Sequence, residues 1–253
     1  MKKVTLVVLV LFCIVNSSAQ NVLTNDHKKI ITDFINYFKN NDREEIALLV
    51  SYPLKREYPI SEVKDREKFL MRFDEIFDSK LIAMIVNSNP SKDWSALGYQ
   101  GMMLGNGSVW IDYDGTLLAV NYQSDAEARI KKELIVKDKQ HLHNSLSDFE
   151  TPVCVLLTKK YRIRIDAMKN GKYRYASWKF TSKMNDKPDL VIQNGKYVPD
   201  GSGGNHSYVF KNGNYLYECG IVLLGEEDSS PAYLTVYKDG KEIVSEPAAI
   251  KAN

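Results

Sequence analysis

Apolar positions recur at helical spacing near the start of the chain. Ile30, Ile31, Phe34, Ile35 and Phe38 share one face and predict an amphipathic helix. Asp42 with Glu45 resembles a capping box and opens a second helix carrying Ile46, Leu49 and Val50, stopped by Tyr52-Pro53. Glu57 to Ile60 reads as a short extended segment. A third helix starts near Asp65, carries Phe69, Leu70, Phe73, Ile76 and Phe77, and continues through Ile82 and Ile85 until Asn89-Pro90.

The period then falls to two. Strands are expected over 99–104, 109–113 and 116–122, separated by Gly105-Asn106-Gly107 and Asp114-Gly115. A two-residue turn at Asp114-Gly115 places Val109, Ile111, Tyr113, Leu118, Val120 and Tyr122 on the face that covers the helices. Trp110, Asp112, Ala119 and Asn121 fall on the other face. Ser124 and Glu127 are spaced as another capping box, predicting a helix from Asp125 to about Ser145, broken near Lys137.

From Thr151 the pattern is one of short strands. Val153 to Leu157 is an apolar run, and turns follow at Asn170-Gly171, Asn194-Gly195, Asn212-Gly213 and Asp239-Gly240. The first turn pairs Ile165 with Ala176 and Ile163 with Trp178, leaving Arg162, Arg164 and Asp166 on a wet face. The others pair Val191 with Val198, Phe210 with Tyr215, Tyr208 with Tyr217, His206 with Cys219, and Val236 with Ile243. The fold class is α+β: cone-like helices on a curved antiparallel sheet, followed by an all-β sandwich or barrel. The expected division is a leader over 1–19, an α+β domain over 20–123, a helical linker over 124–150 and an all-β domain over 151–253.

Met1-Lys-Lys, an apolar run from Val4 to Val15 and Asn16-Ser-Ser-Ala19 form a secretory leader pattern, cleaved after Ala19. The apolar run is shorter than the roughly 20 residues of a membrane span, so no integral membrane segment is expected after processing. The expected location is the periplasm or the exterior. The chain has 253 residues and a net charge of +2; loss of Lys2 and Lys3 leaves 32 basic against 32 acidic side chains. Such a balance, with no long basic run, excludes a nucleic-acid partner. Cys154 and Cys219 remain after processing; a disulfide between them and two buried free thiols both fit the compartment.

No pattern calls for a cofactor or a metal. There is no Cys-x-x-Cys, and His141-x-His143 lacks further ligands at zinc spacing. Ser202-Gly-Gly-Asn205 lacks the Lys-Ser/Thr ending of a phosphate loop.

The run Phe34-Ile-Asn-Tyr-Phe-Lys-Asn-Asn-Asp42, the pattern from Phe69 to Phe77 and the run Gly107 to Asn121 resemble the nuclear transport factor 2-like fold over about residues 27–123. That resemblance implies a pocket between sheet and helices, catalytic in some members and only binding in others. The inward face offers Tyr113, Thr116 and Tyr122 but no carboxylate or imidazole, and Asp112 points away unless a bulge intervenes. Asp93 and Trp94 stand where they reach the cone mouth. The loop from Asp200 to Tyr208 is similar to that of bacterial periplasmic lysozyme inhibitors, which insert a Ser-Gly-x-x-Tyr loop into their target. Here Ser202-Gly203 is followed by Tyr208 later than in that motif. A glycine-jointed polar loop beside aromatic side chains still suits recognition.

The sequence therefore points to a non-catalytic binding protein for a partner protein or a small or glycan ligand. Its candidate contacts are Ser202, Asn205, His206, Tyr208, Tyr113, Tyr122 and Trp94. The alternatives are an isomerase-, cyclase- or hydrolase-like enzyme using the cone pocket, and an inhibitor acting through Ser202–Tyr208.

Overall fold

The structure is a computed structural model that describes residues 22–201, 203–226 and 228–251. The leader read over 1–19 and the candidate contact Ser202 lie outside the described residues. The chain is mixed α+β and divides into two compact units, Met1–Ser51 with Ile82–Asn121, and Tyr52–Leu81 with Tyr122–Asn253.

In the first unit, α1 (Asn25–Lys39) buries Ile31, Phe34, Ile35 and Phe38. Its N-terminus is closed by Thr24, whose hydroxyl accepts from the His27 N–H while His27 Nδ1 accepts from the Thr24 N–H. The Asp42 carboxylate caps α2 (Arg43–Leu49) by accepting from the Glu45 N–H. The sheet is an antiparallel meander of β1 (Trp94–Ala96), β2 (Met102–Leu104), β3 (Val109–Ile111) and β4 (Leu117–Val120). The first of these strands is missing from the sequence pattern, and residues 98–100 form a 3₁₀ turn where strand was expected.

The β3–β4 register differs from expectation. The Asp112 N–H donates to the Thr116 carbonyl, so the loop holds three residues, with Gly115 at φ 95°. A bulge between Trp110 and Ile111 restores parity further along. Leu117 is therefore buried, and Leu118 is 36% exposed. Among the described residues of this unit every buried side chain is apolar.

In the second unit, α3 (Arg66–Ile76) begins at the Asp65 cap, as its spacing predicts. It stops at Phe77, because Asp78 starts a new helix, α4 (Ser79–Val86), by accepting from the Lys80 and Leu81 N–H groups. The chain passes between the units within α4. Residues 57–60 turn back on themselves, with the Ile60 N–H bonded to the Glu57 carbonyl, and Leu54 pairs with Val63 across this loop. The extended segment expected there is a turn because the ends of the loop are tied together.

Eight antiparallel strands close into a barrel: β5 (Thr151–Leu157), β6 (Tyr161–Ala167), β7 (Tyr173–Lys179), β8 (Leu190–Pro199), β9 (His206–Asn212), β10 (Tyr215–Ile221), β11 (Ala232–Lys238) and β12 (Lys241–Ile250). Each strand pairs with the next in sequence, and Ala249 and Ile250 of β12 pair with Leu157 and Leu156 of β5. The interior is apolar, with Leu156, Ile163, Ile165, Tyr175, Phe210 and Leu234 buried.

Three of the expected pairings shift. The loop after β6 spans 169–171 with only Gly171 at positive φ, so Arg164 faces Ala176 and Ile165 faces Tyr175. The face expected to be wet is covered instead. Arg164 and Asp166 are fully buried beneath α5 (Asp125–Gln140) and the 142–149 segment. Asp166 bonds Arg164 Nε at 2.7 Å and Arg174 Nη2 at 2.6 Å, and Asp138 of α5 takes both Nη atoms of Arg164.

Asn194-Gly195 makes no hairpin. It is a bulge inside β8, which pairs with β7 before the kink and with β9 after it. The turn after β9 uses Gly213-Asn214, so Phe210 faces Tyr217 and Cys219 faces Tyr208, one rung from expectation but on the same face. Asp239-Gly240 forms the expected turn, with both residues at positive φ, yet a bulge moves the Val236 partner to Val244 and leaves Ile243 52% exposed.

Candidate functional site

The starts of β5 and β9 and the ends of β10 and β12 meet at one end of the barrel. The 54–63 loop lies over this end. Together they line an open-mouthed cavity of about 710 Å³. Its wall is mainly apolar, from Ile60, Val153, Cys154, Ile221, Leu223 and Ile250. Its polar lining comes from Tyr58, His206 and Tyr208, with Lys55, Arg56, Glu62 and Lys251 around it.

The loop is fastened by a buried carboxylate. Ser124 caps α5 and accepts from the Glu127 N–H at 3.0 Å, and its hydroxyl donates to the Glu75 carbonyl. The Glu127 side chain does not return to the cap. It accepts from Arg56 through both oxygens, Nε to Oε1 at 2.7 Å, and Arg72 Nη2 stands 3.7 Å away. Arg56 also donates to the Tyr122 carbonyl at 3.0 Å, and Arg72 to the Ser61 carbonyl at 2.8 Å. Lys55 and Glu62 pair with each other across the loop.

The opposite rim is held by Asn205. Its Oδ1 accepts from the Leu223 and Leu224 N–H groups at 2.8 and 2.9 Å, and its Nδ2 donates to the Leu224 carbonyl. This joins the glycine-bearing loop to the segment after β10 and leaves Leu223 and Leu224 exposed at the mouth. The His206 ring lies 4.9 Å from that of Tyr197 and 5.4 Å from that of Tyr208. Its Nδ1 is 2.8 Å from the Gly204 carbonyl. A carbonyl only accepts, so Nδ1 carries the proton and Nε2 is left for a ligand.

Tyr208 is 7% exposed, and its hydroxyl has no hydrogen-bond partner among the described residues. The Tyr58 hydroxyl likewise has none. Burial pushes the Tyr58 phenol up to about 12 and raises that of Tyr208 as well. Burial also pushes the Cys154 thiol up to about 12. That thiol stays protonated, and no hydrogen bond joins it to His206 among the described residues, so the pair is not arranged as a nucleophile and base.

Of the residues singled out in the sequence, His206 and Tyr208 meet in this cavity, and Asn205 braces its rim. Cys154 lines its wall as well, whereas Trp94, Tyr113 and Tyr122 are engaged elsewhere. Trp94 is core: its indole donates to Ser88 Oγ at 2.9 Å and Phe34 meets it edge-on. The Tyr113 hydroxyl donates to the Gly98 carbonyl at 2.6 Å, with its ring against His27. The Tyr122 hydroxyl donates to the Asp78 carboxylate at 3.0 Å. Cys154 and Cys219, the candidate disulfide pair, are both buried free thiols. Sequence reasoning missed Tyr58, Arg56 and Lys251. The available signal was Tyr58-Pro59, an aromatic fixed in a turn between two helical patterns.

Among the described residues no group of His, Cys, Asp or Glu could hold a metal ion, and no helix is long and apolar enough to cross a membrane. Comparison with protein-family models, with curated proteins and with solved structures finds no match.

Proposed function

We propose that this is an exported, non-catalytic binding protein that holds a small, mainly apolar ligand in the barrel mouth. The observation that supports this is the cavity of about 710 Å³, apolar in its walls, into which a nine-tenths-buried tyrosine brings an unpartnered hydroxyl. Small-molecule sites have this size and this mix of apolar wall and few polar groups. An eight-stranded barrel has room for one such ligand when its side chains do not fill the mouth. The protonated Cys154 thiol supports binding over chemistry.

The test is titration with N-phenyl-1-naphthylamine, a neutral probe that fluoresces in apolar surroundings. One saturable site is expected. Leu223→Arg, at an exposed position on the mouth, should weaken it about tenfold without lowering the melting temperature. No saturable signal, or an unchanged affinity in the variant, rejects the assignment.

A further inference from the structure

The polar atoms of the barrel mouth are unevenly divided between donors and acceptors. Tyr58 and Tyr208 bring two phenolic hydroxyls with no partner among the described residues. Burial keeps both protonated, so both remain able to donate. The Glu62 carboxylate is taken by Lys55 at 2.5 Å. The Arg56 guanidinium is spent on Glu127, which does not line the cavity. Lys251, which lines the cavity beside Ile250, has no carboxylate partner among the described residues. Besides the phenol oxygens, the acceptors left among the lining side chains are His206 Nε2 and the second oxygen of the Lys55-paired Glu62.

A neutral apolar molecule would take Tyr208's hydroxyl out of solvent without offering it an acceptor. A cation would face Lys251 and find the lining carboxylate, Glu62, already paired with Lys55. An anionic acceptor satisfies both conditions: it takes the phenolic protons and balances the ammonium. Inference and site are linked, since this rests on the barrel-mouth reading above.

We infer that the ligand of the barrel mouth is an organic acid, an apolar body ending in a carboxylate that accepts from Tyr58 and Tyr208 and neutralises Lys251. The apolar body runs along Val153, Ile221 and Ile250. No bond is made or broken.

The experiment displaces bound N-phenyl-1-naphthylamine with decanoate, 1-decanol or decylamine at neutral pH, below their aggregation concentrations. Decanoate should displace the probe at a concentration about tenfold lower than 1-decanol, the gap a charge-assisted hydrogen bond gives. Decylamine should be the weakest. Tyr208→Phe, which removes one oxygen and keeps the ring, should narrow the gap between decanoate and decanol to about threefold or less, as should Lys251→Gln. Equal displacement by acid and alcohol, or stronger displacement by the amine, overturns the inference while leaving the cavity assignment intact. A gap unchanged in both variants overturns it too. Failure of the probe itself to bind removes the cavity assignment beneath it.

Discussion

Arg56 reaches from the loop over the barrel mouth to Glu127 in the first turn of α5, and neither side chain is more than 4% exposed. Two oppositely charged groups are thus taken out of water together. Each offsets much of the cost of burying the other.

Removing Arg56 leaves the buried Glu127 with only the more distant Arg72, at 3.7 Å, and removing Glu127 takes from Arg56 its bidentate carboxylate. Arg56→Met or Glu127→Leu should each destabilise the second unit by about 3–5 kcal/mol. The double variant should cost clearly less than the sum of the singles, because it leaves no orphaned charge. Urea unfolding of the four proteins measures this. Additive losses would show that the pair is not coupled as the geometry requires. The single variants should also speed proteolysis within 54–63, where the loop loses its fastening.

The Asp78 carboxylate gives stability a defined dependence on pH. Burial opposes its charge, but the Leu81 N–H, the Tyr122 hydroxyl and the Asp125 and Lys80 N–H groups outweigh burial and hold it below the ordinary carboxylate range. A carboxyl depressed on folding adds stability that is present above its unfolded value of about 3.8 and lost as pH falls through the lower folded value. Asp78→Asn should therefore be less stable than the parent by a constant margin from about pH 5 upward, and the margin should shrink below about pH 4. Chemical denaturation at a series of pH values reads the margin; one that grew in acid would contradict the assignment.

Gly195 shows how close the β8 kink comes to the core. A Cβ built there would lie 2.1 Å from Cε1 of Phe210, a ring with no exposure at all. Gly195→Ala should cost about 1–3 kcal/mol, with Phe210 forced from its place. Phe210→Leu in the same chain should recover part of the loss, as judged by melting temperature; no recovery would mean that the clash lies elsewhere.

That kink also marks the limit of what the sequence discloses. Element types are legible because apolar spacing is a local property: the face Ile31, Phe34, Ile35 and Phe38 and the caps at Asp42, Asp65 and Ser124 are where their spacing puts them. Registers are less legible, because Asn-Gly and Asp-Gly serve several geometries. At Asp239-Gly240 both residues take positive φ, at Asn170-Gly171 only the glycine does, and at Asn194-Gly195 the pair sits inside a strand. A one-residue change in the loop moves a strand's side chains to the opposite face. This is how Ala176 and Trp178 come to lie beside Arg164 under α5, while Tyr175 enters the barrel with Ile163 and Ile165. For the site, parity placed His206 and Tyr208 on one face correctly. Tyr58 and Arg56 join them from about 150 residues earlier in the chain, a meeting that no local pattern encodes.

The two thiols supply a last measurement. Cys154 is held near 12 by burial, and Cys219 is raised well above its ordinary value for the same reason. Alkylation needs the thiolate and access. Neither sulfur has much of either, since Cys219 is fully buried and Cys154 is 7% exposed. In the folded protein at pH 8, iodoacetamide should leave the peptides containing both residues unmodified over an hour, whereas in concentrated urea both should be labelled within minutes. Cys154 lines the cavity and Cys219 does not. Any slow native labelling should therefore fall on Cys154 first, and decanoate should suppress it. Preferential labelling of Cys219 would mean that the barrel opens along another seam and that the mouth is not its route to solvent.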